Sequence, residues 1–107
     1  MGTYEDDGAW GALGDGTRRA IVLRLAERPQ AVGELASDLP VSRPAVSQHL
    51  RVLKDAGLVA EEAVGTRRIY RLNEAGVAAL RDQLDTFWSR ALRGYRDIAH
   101  QPSEEKP

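Results

Sequence analysis

Apolar residues recur at intervals of three and four along most of this chain, which is the spacing of helices that bury one face. Polar caps and prolines mark where these helices begin and end. Asp15, Ser42 and Asn73 precede the periodic segments and are predicted N-caps, while Pro29 and Pro40 close two of the segments. The pattern therefore predicts five helices, over residues 8–13, 16–27, 32–38, 43–56 and 74–100.

The period changes to two in the segment 58–72, where valine, isoleucine and tyrosine alternate with charged residues. Two strands are predicted there, over 58–63 and 67–72, around the three-residue turn Val64-Gly65-Thr66. The predicted fold class is therefore mostly α with a small β-hairpin (α+β), in the order α-α-α-α-β-β-α.

The composition is that of one globular domain. The chain has 107 residues, of which 42% are hydrophobic and 29% charged, and one domain is predicted to span residues 1–107. Its polar ends, residues 1–7 and 101–107, are predicted to be disordered tails. No apolar run approaches the ~20 residues that cross a bilayer. With no cysteine and no signal-peptide pattern, a cytoplasmic protein that does not contact a membrane is expected.

The predicted helix over residues 43–56 has two different faces. Val46, Leu50 and Leu53 form its apolar stripe. The other side carries polar types that bond base edges, since Gln can bond adenine through two atoms, Arg can do so with guanine, and Ser suits either. Taken alone, this helix is explained by an ordinary polar face in contact with solvent. The preceding helix and turn and the following hairpin favour the interpretation as a DNA-binding face. The predicted DNA contacts here are Ser42, Arg43, Ser47, Gln48 and Arg51.

The hairpin supplies the second feature typical of DNA binding. Arg67 and Arg68 directly follow the predicted turn. Alternation places Arg68 on the face of Tyr70 and Leu72, the predicted inward pair, and Arg67 on the other face. From the hairpin tip both arginines are predicted to reach phosphate or the minor groove. The alternative is charge that protects an exposed hairpin from aggregation, and the two roles are compatible.

Charge is unevenly distributed although the net charge is only −1. Residues 1–16 hold four acids and no Lys or Arg, whereas residues 17–72 hold ten basic and six acidic groups, a balance of +4. Phosphate charge acts over about a Debye length of ~10 Å, so a local surplus matters more than the net charge. This distribution is compatible with nucleic-acid binding.

The last predicted helix carries an apolar stripe that is too broad for the core of a small domain. Part of the stripe is expected to meet a second copy of the chain, together with the first helix. A pocket for a small organic ligand, lined by Trp10, Phe87 and Trp88, is the alternative. The predicted dimer interface comprises Trp10, Leu80, Leu84, Phe87, Trp88, Ala91 and Tyr95.

Four segments, in the expected order and spacing, resemble the ArsR/SmtB family of bacterial winged-helix repressors. They are LGDGTRRAIVLRL (Leu13–Leu25), VGELASDL (Val32–Leu39), SRPAVSQHLRVLKDAGLV (Ser42–Val59) and GTRRIYRL (Gly65–Leu72). The resemblance implies a winged helix-turn-helix that dimerises through its first and last helices, with the recognition helix over 43–56 and the wing over 61–71. It also implies a homodimeric repressor on a palindromic operator, released by an inducer. One departure is Gly16, where the family commonly has proline.

The chain lacks the ligands that metal-sensing members of this family use. Their cysteine pair precedes the recognition helix, and the corresponding positions look like Ala31 and Gly33. His49 lies inside the recognition helix and is expected to pack between helices or touch phosphate. Other members use Asp and His pairs on the last helix, which here contains Asp82, Asp85, Asp97 and His100. These cannot supply four ligands of the kinds that Zn²⁺ prefers, so no metal and no other cofactor is predicted.

No pattern in the chain predicts an enzyme. There is no Gly-rich phosphate loop, no Ser or Cys nucleophile signature and no adjacent pair of histidine ligands. A sequence-specific DNA-binding regulator is therefore the favoured function. The alternative is a winged-helix module that binds protein and has no operator. DNA binding upstream of the protein's own coding region would distinguish the two.

Overall fold

The computed structural model describes residues 8–100, and their helices and strands follow the predicted order with one addition. The elements are α1 (Gly8–Ala12), α2 (Gly16–Glu27), β1 (Gln30–Ala31), α3 (Val32–Asp38), α4 (Arg43–Asp55), β2 (Val59–Val64), β3 (Arg67–Leu72) and α5 (Glu74–Ala99). The tails over 1–7 and 101–107, which were predicted to be disordered, lie outside the described residues. The architecture is mostly helical with a small antiparallel sheet, as the pattern predicts.

Side-chain caps start the two helices α2 and α4. The Asp15 carboxylate accepts a hydrogen bond from the backbone N–H of Arg18 at 3.0 Å, at the start of α2. This bond favours the charged carboxylate and holds the pKa of Asp15 below its usual value. The Ser42 hydroxyl accepts from the backbone N–H of Ala45 at 3.2 Å, at the start of α4. Both predicted N-caps are confirmed.

The core lies where α2, α3 and α4 meet, and residues of β2 and α5 close it. Ile21 of α2 and Leu35 of α3 are fully buried. Val46, Leu50 and Leu53 of α4 are fully buried as well, so the predicted apolar stripe is confirmed. Burying one large apolar side chain stabilises the fold by about 1.5–3 kcal/mol. The three buried side chains of α4 therefore attach this helix strongly to the core. The core residues are Ala12, Ile21, Leu25, Leu35, Val46, Leu50, Leu53, Leu58, Val59 and Leu80.

A third strand, β1, is not predicted by the sequence pattern. It pairs antiparallel with β3, opposite β2, with Gln30 facing Tyr70 and Ala31 facing Ile69. Two residues between Pro29 and the next helix are too few to show alternation. They form a strand because the free edge of β3 lies beside them, which is a tertiary effect. The predicted element order is therefore corrected to α-α-β-α-α-β-β-α.

The hairpin turn is one residue shorter than predicted. Strand β2 continues to Val64, which pairs with Arg67, so the loop consists of Gly65 and Thr66. Gly65 has a φ of +64°, which glycine adopts easily because it has no Cβ. Two-residue loops of this kind suit the twist of the strands that they join. The prediction was wrong at Val64 because ladder pairing extends to that residue.

The last helix, α5, is attached to the rest of the domain mainly through its N-terminal part. Leu80 is buried, whereas every later residue of α5 is exposed in the single chain. Asn73 occupies the predicted N-cap position, but its side chain makes no capping hydrogen bond. Among residues 8–100, no helix is long and apolar enough to cross a membrane.

Candidate nucleic-acid interface

The polar side of α4 is open to solvent. Ser47, Gln48 and Arg51 are exposed, while Val46 and Leu50 on the other side are fully buried. The structure thus brings the predicted base-contacting side chains to one face of a firmly held helix. Amide, guanidinium and hydroxyl groups on such a face can form hydrogen bonds with base edges in a major groove.

Ser42 and Arg43 lie at the N-terminal end of the same helix. The Ser42 hydroxyl oxygen is engaged as the N-cap acceptor, and its hydrogen is left to donate. The Arg43 guanidinium lies close to Gly33, since a Cβ built there would be 3.5 Å from the Arg43 Cζ. The N-terminal end of a helix also favours anions through its N–H groups and dipole. This end of α4 therefore suits a phosphate contact.

His49 connects the recognition helix to α2. Its Nδ1 atom lies 3.3 Å from the Arg18 Nη1, and the Arg18 Nε donates to the Ala12 backbone oxygen at 2.6 Å. The histidine is half-buried, in agreement with the expected position between helices. Arg18 was not identified as a site residue from the sequence. Its bonds connect α1, α2 and α4, so it supports the helix that presents the candidate DNA contacts.

Each arginine of the hairpin is paired with a glutamate. The Arg67 Nη2 lies 3.2 Å from the Glu34 Oε1, and Arg68 pairs with Glu61 on the other face of the hairpin. Arg71 pairs with Glu62, also across the two strands. The arginine side chains remain at least half exposed. Exposed ion pairs contribute little to stability, so a DNA phosphate can compete with Glu34 and Glu62, whose side chains are 40% and 49% exposed.

Glu61 is the centre of a polar cluster between α4 and the hairpin. Its side chain is only 16% exposed and accepts from the Lys54 Nζ at 3.1 Å and from the Tyr70 hydroxyl at 3.2 Å. The Lys54 ammonium, followed by Arg68 and Tyr70, lowers the pKa of the Glu61 carboxyl. Burial, and then the charge of Glu61, raise the pKa of Tyr70. The cluster connects the last turn of α4 to the middle of the hairpin.

Glu34 plays a similar part on the other side of the hairpin. Its Oε1 accepts from the backbone N–H of Ala31 at 2.8 Å, and its Oε2 lies 3.5 Å from the Arg28 Nη1. The Ala31 N–H bond, followed by the charges of Arg67 and Arg28, lowers the pKa of the Glu34 carboxyl. One carboxylate therefore holds the start of α3 and an arginine of the hairpin. Sequence reasoning missed both glutamates, because the register that places Glu61 opposite Tyr70 depends on the two-residue loop, which the sequence pattern did not predict.

An open groove of about 790 Å³ lies between α3, the start of α4 and the hairpin. Arg43 and Ser47 line it from the recognition helix, and Thr66, Arg67 and Arg68 line it from the hairpin. Guanidinium groups thus stand on both sides of one groove. This arrangement suits the negatively charged backbone of a DNA strand.

Three aromatic side chains form a partly exposed cluster where α1 meets α5. The rings of Trp10 and Phe87 lie edge to face with centroids 5.1 Å apart, and Phe87 and Trp88 are similarly arranged at 5.0 Å. Trp10 is 38% exposed and Trp88 57%. Leu84, Ala91 and Tyr95 of the predicted dimer interface are also exposed. Leu80 differs, because at 7% exposure it already belongs to the core of its own subunit, which leaves little surface for a partner.

Among residues 8–100, the positions considered for metal binding do not bring together a group of side chains that could bind a metal. Ala31 and Gly33 lie in β1 and at the start of α3, without a side chain that could bind a metal. In residues 8–100, no three histidine or acidic side chains are grouped as metal ligands require. The His100 Nδ1 lies 2.8 Å from the backbone oxygen of Arg96.

The helix-turn-helix part of the chain matches a known family. Residues 15–61 match the family described as bacterial regulatory protein, arsR family. The chain is also 66% identical, over 99 residues, to the HTH-type transcriptional regulator Rv2034 of Mycobacterium tuberculosis, and the alignment covers 92% of each chain. The chain belongs to the ArsR family of bacterial regulatory proteins.

Further relatives of this ArsR-family protein agree with the fold. It is 46% identical over 67 residues to the HTH-type transcriptional repressor SmtB of Mycobacterium tuberculosis, across 63% of this chain and 50% of that one. A similar solved structure is the homodimeric winged helix-turn-helix DNA-binding domain of a possible ArsR-family regulator from Mycobacterium bovis, with a TM-score of 0.63, 30% identity and 80% of each chain covered. The winged helix-turn-helix fold is therefore confirmed, and the family's members are transcriptional regulators and not enzymes.

Proposed function

We propose that this ArsR-family protein is a homodimeric repressor that binds a palindromic operator, with α4 in the major groove and the hairpin on the flanking backbone. The observation that carries the proposal is the exposed face formed by Ser47, Gln48 and Arg51 on a helix whose opposite side is fully buried. Burial fixes the helix axis, and the exposed groups match the bonding edges of adenine and guanine. Arg67 and Arg68 then contribute phosphate contacts that depend little on sequence.

The aromatic cluster of α1 and α5 supports the homodimer. Trp10, Phe87 and Trp88 leave large apolar areas exposed in the single chain, which marks an interaction surface more often than ordinary protein surface. The similar domain from Mycobacterium bovis is homodimeric. A two-fold axis through this surface would place two recognition helices about 34 Å apart, which is one turn of DNA. The operator would then share the symmetry of the dimer.

Repression is supported by the relative SmtB, which is named as a transcriptional repressor. The positions of the family's cysteine pair, Ala31 and Gly33, carry no side chain that binds metal, so we propose an inducer other than a metal ion. Because the DNA of a bacterium lies in its cytoplasm, the protein is proposed to act there.

Selection of bound sequences from random duplex DNA tests the proposal, together with a gel shift on the DNA upstream of the protein's own coding region. We expect a two-fold symmetric sequence, bound by a dimer with an affinity that falls steeply as salt rises. The double variant Gln48→Ala, Arg51→Ala is the control that should lose the sequence preference. A protein that selects no sequence and shifts no DNA would instead be a winged-helix module for protein interactions.

A second candidate concerns regulation by a small organic ligand. An open groove of about 620 Å³ beside the aromatic cluster is lined by Trp10 and Phe87 and also by Asp82, Gln83 and Arg90. Aromatic faces next to a few polar groups are typical of ligand sites. The fluorescent sulfonate 1-anilinonaphthalene-8-sulfonate is a suitable probe, and its binding should weaken in Arg90→Gln. Equal binding by this variant and the parent protein would count against the groove.

A further inference from the structure

The first turn of α5 lies in direct backbone contact with the turn that ends the recognition helix. A Cβ built on Gly76 would lie 1.8 Å from the Gly57 carbonyl oxygen and 2.8 Å from its carbonyl carbon. No side chain fits in that space, because real Cβ contacts do not fall below 3.0 Å. Glycine inside a helix lowers helix stability by about 1 kcal/mol relative to alanine, so helix propensity does not explain a glycine at position 76. The close approach of two backbones explains its presence.

Asn73 strengthens the same contact. Its side-chain Nδ2 donates to the Gly57 oxygen at 3.0 Å, and its backbone N–H donates to the Leu58 oxygen at 2.9 Å. Asn73 stands at the N-cap position of α5, yet its side chain does not cap that helix. Both hydrogen bonds instead attach the start of α5 to the turn that follows α4.

Two backbone hydrogen bonds attach this turn to the recognition helix. The Gly57 N–H donates to the Lys54 oxygen at 2.9 Å, and the Leu58 N–H donates to the Leu53 oxygen at 2.9 Å. Gly57 has a φ of +83°, which completes a tight helix end of the kind that glycine favours. The contact of Gly57 with Asn73 and Gly76 therefore joins the start of α5 directly to the end of α4.

Small changes at this contact produce large displacements along α5. The helix has 26 residues, which at about 1.5 Å per residue gives a length of about 39 Å. A tilt of about 10° at one end moves the other end by about 7 Å, which is two base-pair steps of about 3.4 Å. In a dimer held by α5, the same tilt changes the distance between the two recognition helices.

We propose that the junction of Gly57, Asn73 and Gly76 determines the half-site spacing that the dimer accepts, so that Asn73 and Gly76 are positioning residues for operator choice. The inference rests on the proposed dimeric repressor. Neither residue needs to touch DNA, because each acts through the angle between α4 and α5.

The variant Gly76→Ala tests the junction directly. The parent protein first selects its operator from random duplex DNA, and the spacing between half-sites is then lengthened and shortened one base pair at a time. We expect Gly76→Ala to bind the selected spacing about tenfold less tightly and to prefer a different spacing, with unspecific DNA binding within about twofold of the parent. Gly94→Ala, once shown to keep the dimer of the parent, is the matched control, because Gly94 also lies in α5 and a Cβ there meets nothing within 4 Å in the single chain.

The variant Asn73→Asp tests the same junction if Gly76→Ala folds poorly. Aspartate caps a helix as well as asparagine does but cannot donate to the Gly57 oxygen. We expect Asn73→Asp to remain a folded dimer while accepting a broader range of spacings. Asn73→Asp with the affinity and spacing preference of the parent would overturn the inference. A parent protein that selects no two-fold symmetric operator would instead overturn the proposed function.

Discussion

The guanidinium of Arg67 lies 3.2 Å from the carboxylate of Glu34, so an arginine expected at the DNA backbone is paired with an acid of its own domain. The two residues are 33 positions apart in the chain. Because both side chains are partly exposed, water and salt screen their attraction, and the pair opens readily. In the proposed complex, DNA binding by the hairpin would therefore exchange one carboxylate for one phosphate at Arg67.

Replacing Glu34 by glutamine is expected to strengthen binding to all DNA sequences by about two- to fivefold at low salt. The amide oxygen can still accept from the Ala31 N–H, so the start of α3 is kept, and only the negative charge is removed. Titration of a random-sequence duplex measures the effect. The gain should vanish when Arg67 is also replaced by alanine, and the same gain in that double variant would contradict the exchange.

Replacing Arg67 alone by alanine is expected to weaken binding evenly across sequences. One phosphate contact is lost, so the slope of log affinity against log salt should become shallower by about one unit. Titrations of the selected operator and of random DNA at several salt concentrations measure it. A loss confined to the operator would show that Arg67 contacts bases rather than phosphate.

Replacing Gln48 by alanine should act differently from the loss of Arg67. Gln48 is exposed on the outer face of α4, and loss of a contact to a base is expected to cost about 1–3 kcal/mol on the selected operator. The variant should also discriminate less strongly between bases at one position of each half-site. Selection repeated with the variant measures this. If every sequence were bound equally less well, the assignment of base contacts to this face would be wrong.

Replacing Leu50 by alanine tests how firmly the core holds the recognition helix. Leu50 is fully buried in α4, and truncation of such a leucine costs about 2–5 kcal/mol in the free energy of unfolding. Urea unfolding at a fixed protein concentration measures the change. Leu23→Ala is the matched control, since Leu23 is 67% exposed and should alter stability by less than about 0.5 kcal/mol. Equal losses in the two variants would contradict the described core.

Stability is expected to fall on acidification because three carboxyls have lowered pKa values in the folded domain. The pKa of Glu34 and of Glu61 lies below the ordinary 4.5, and that of Asp15 below 3.8. The unfolded chain therefore binds protons first, so the stabilisation is complete above about pH 4.5 and is lost as the pH falls through the folded values.

Urea unfolding between about pH 7 and pH 3 measures this acid sensitivity. Glu61→Gln should show a smaller loss than the parent, because the variant has one such carboxyl fewer and keeps the acceptor for Tyr70. A midpoint that stays constant or rises on acidification would contradict the sign of these shifts.

The recognition helix shows why part of this structure could be predicted. The spacing of Val46, Leu50 and Leu53 is a local pattern, and a helix that buries one face must turn the remaining residues outward. The same argument places Ser47 and Gln48 on the candidate DNA face without any information on tertiary contacts. Strand β1 shows the limit, since two residues carry no periodicity and their pairing depends on a distant strand.

The sequence by itself determined the helices, the caps of α2 and α4, the hairpin and the residues on each face, because hydrophobic periodicity and capping act over a few neighbouring positions. Only the tertiary structure decided which side chains meet. The pairing of Arg67 with Glu34, the burial of Leu80 in its own subunit and the approach of Gly76 to Gly57 join distant segments. Such contacts follow from how the elements pack together, and no local pattern specifies that packing.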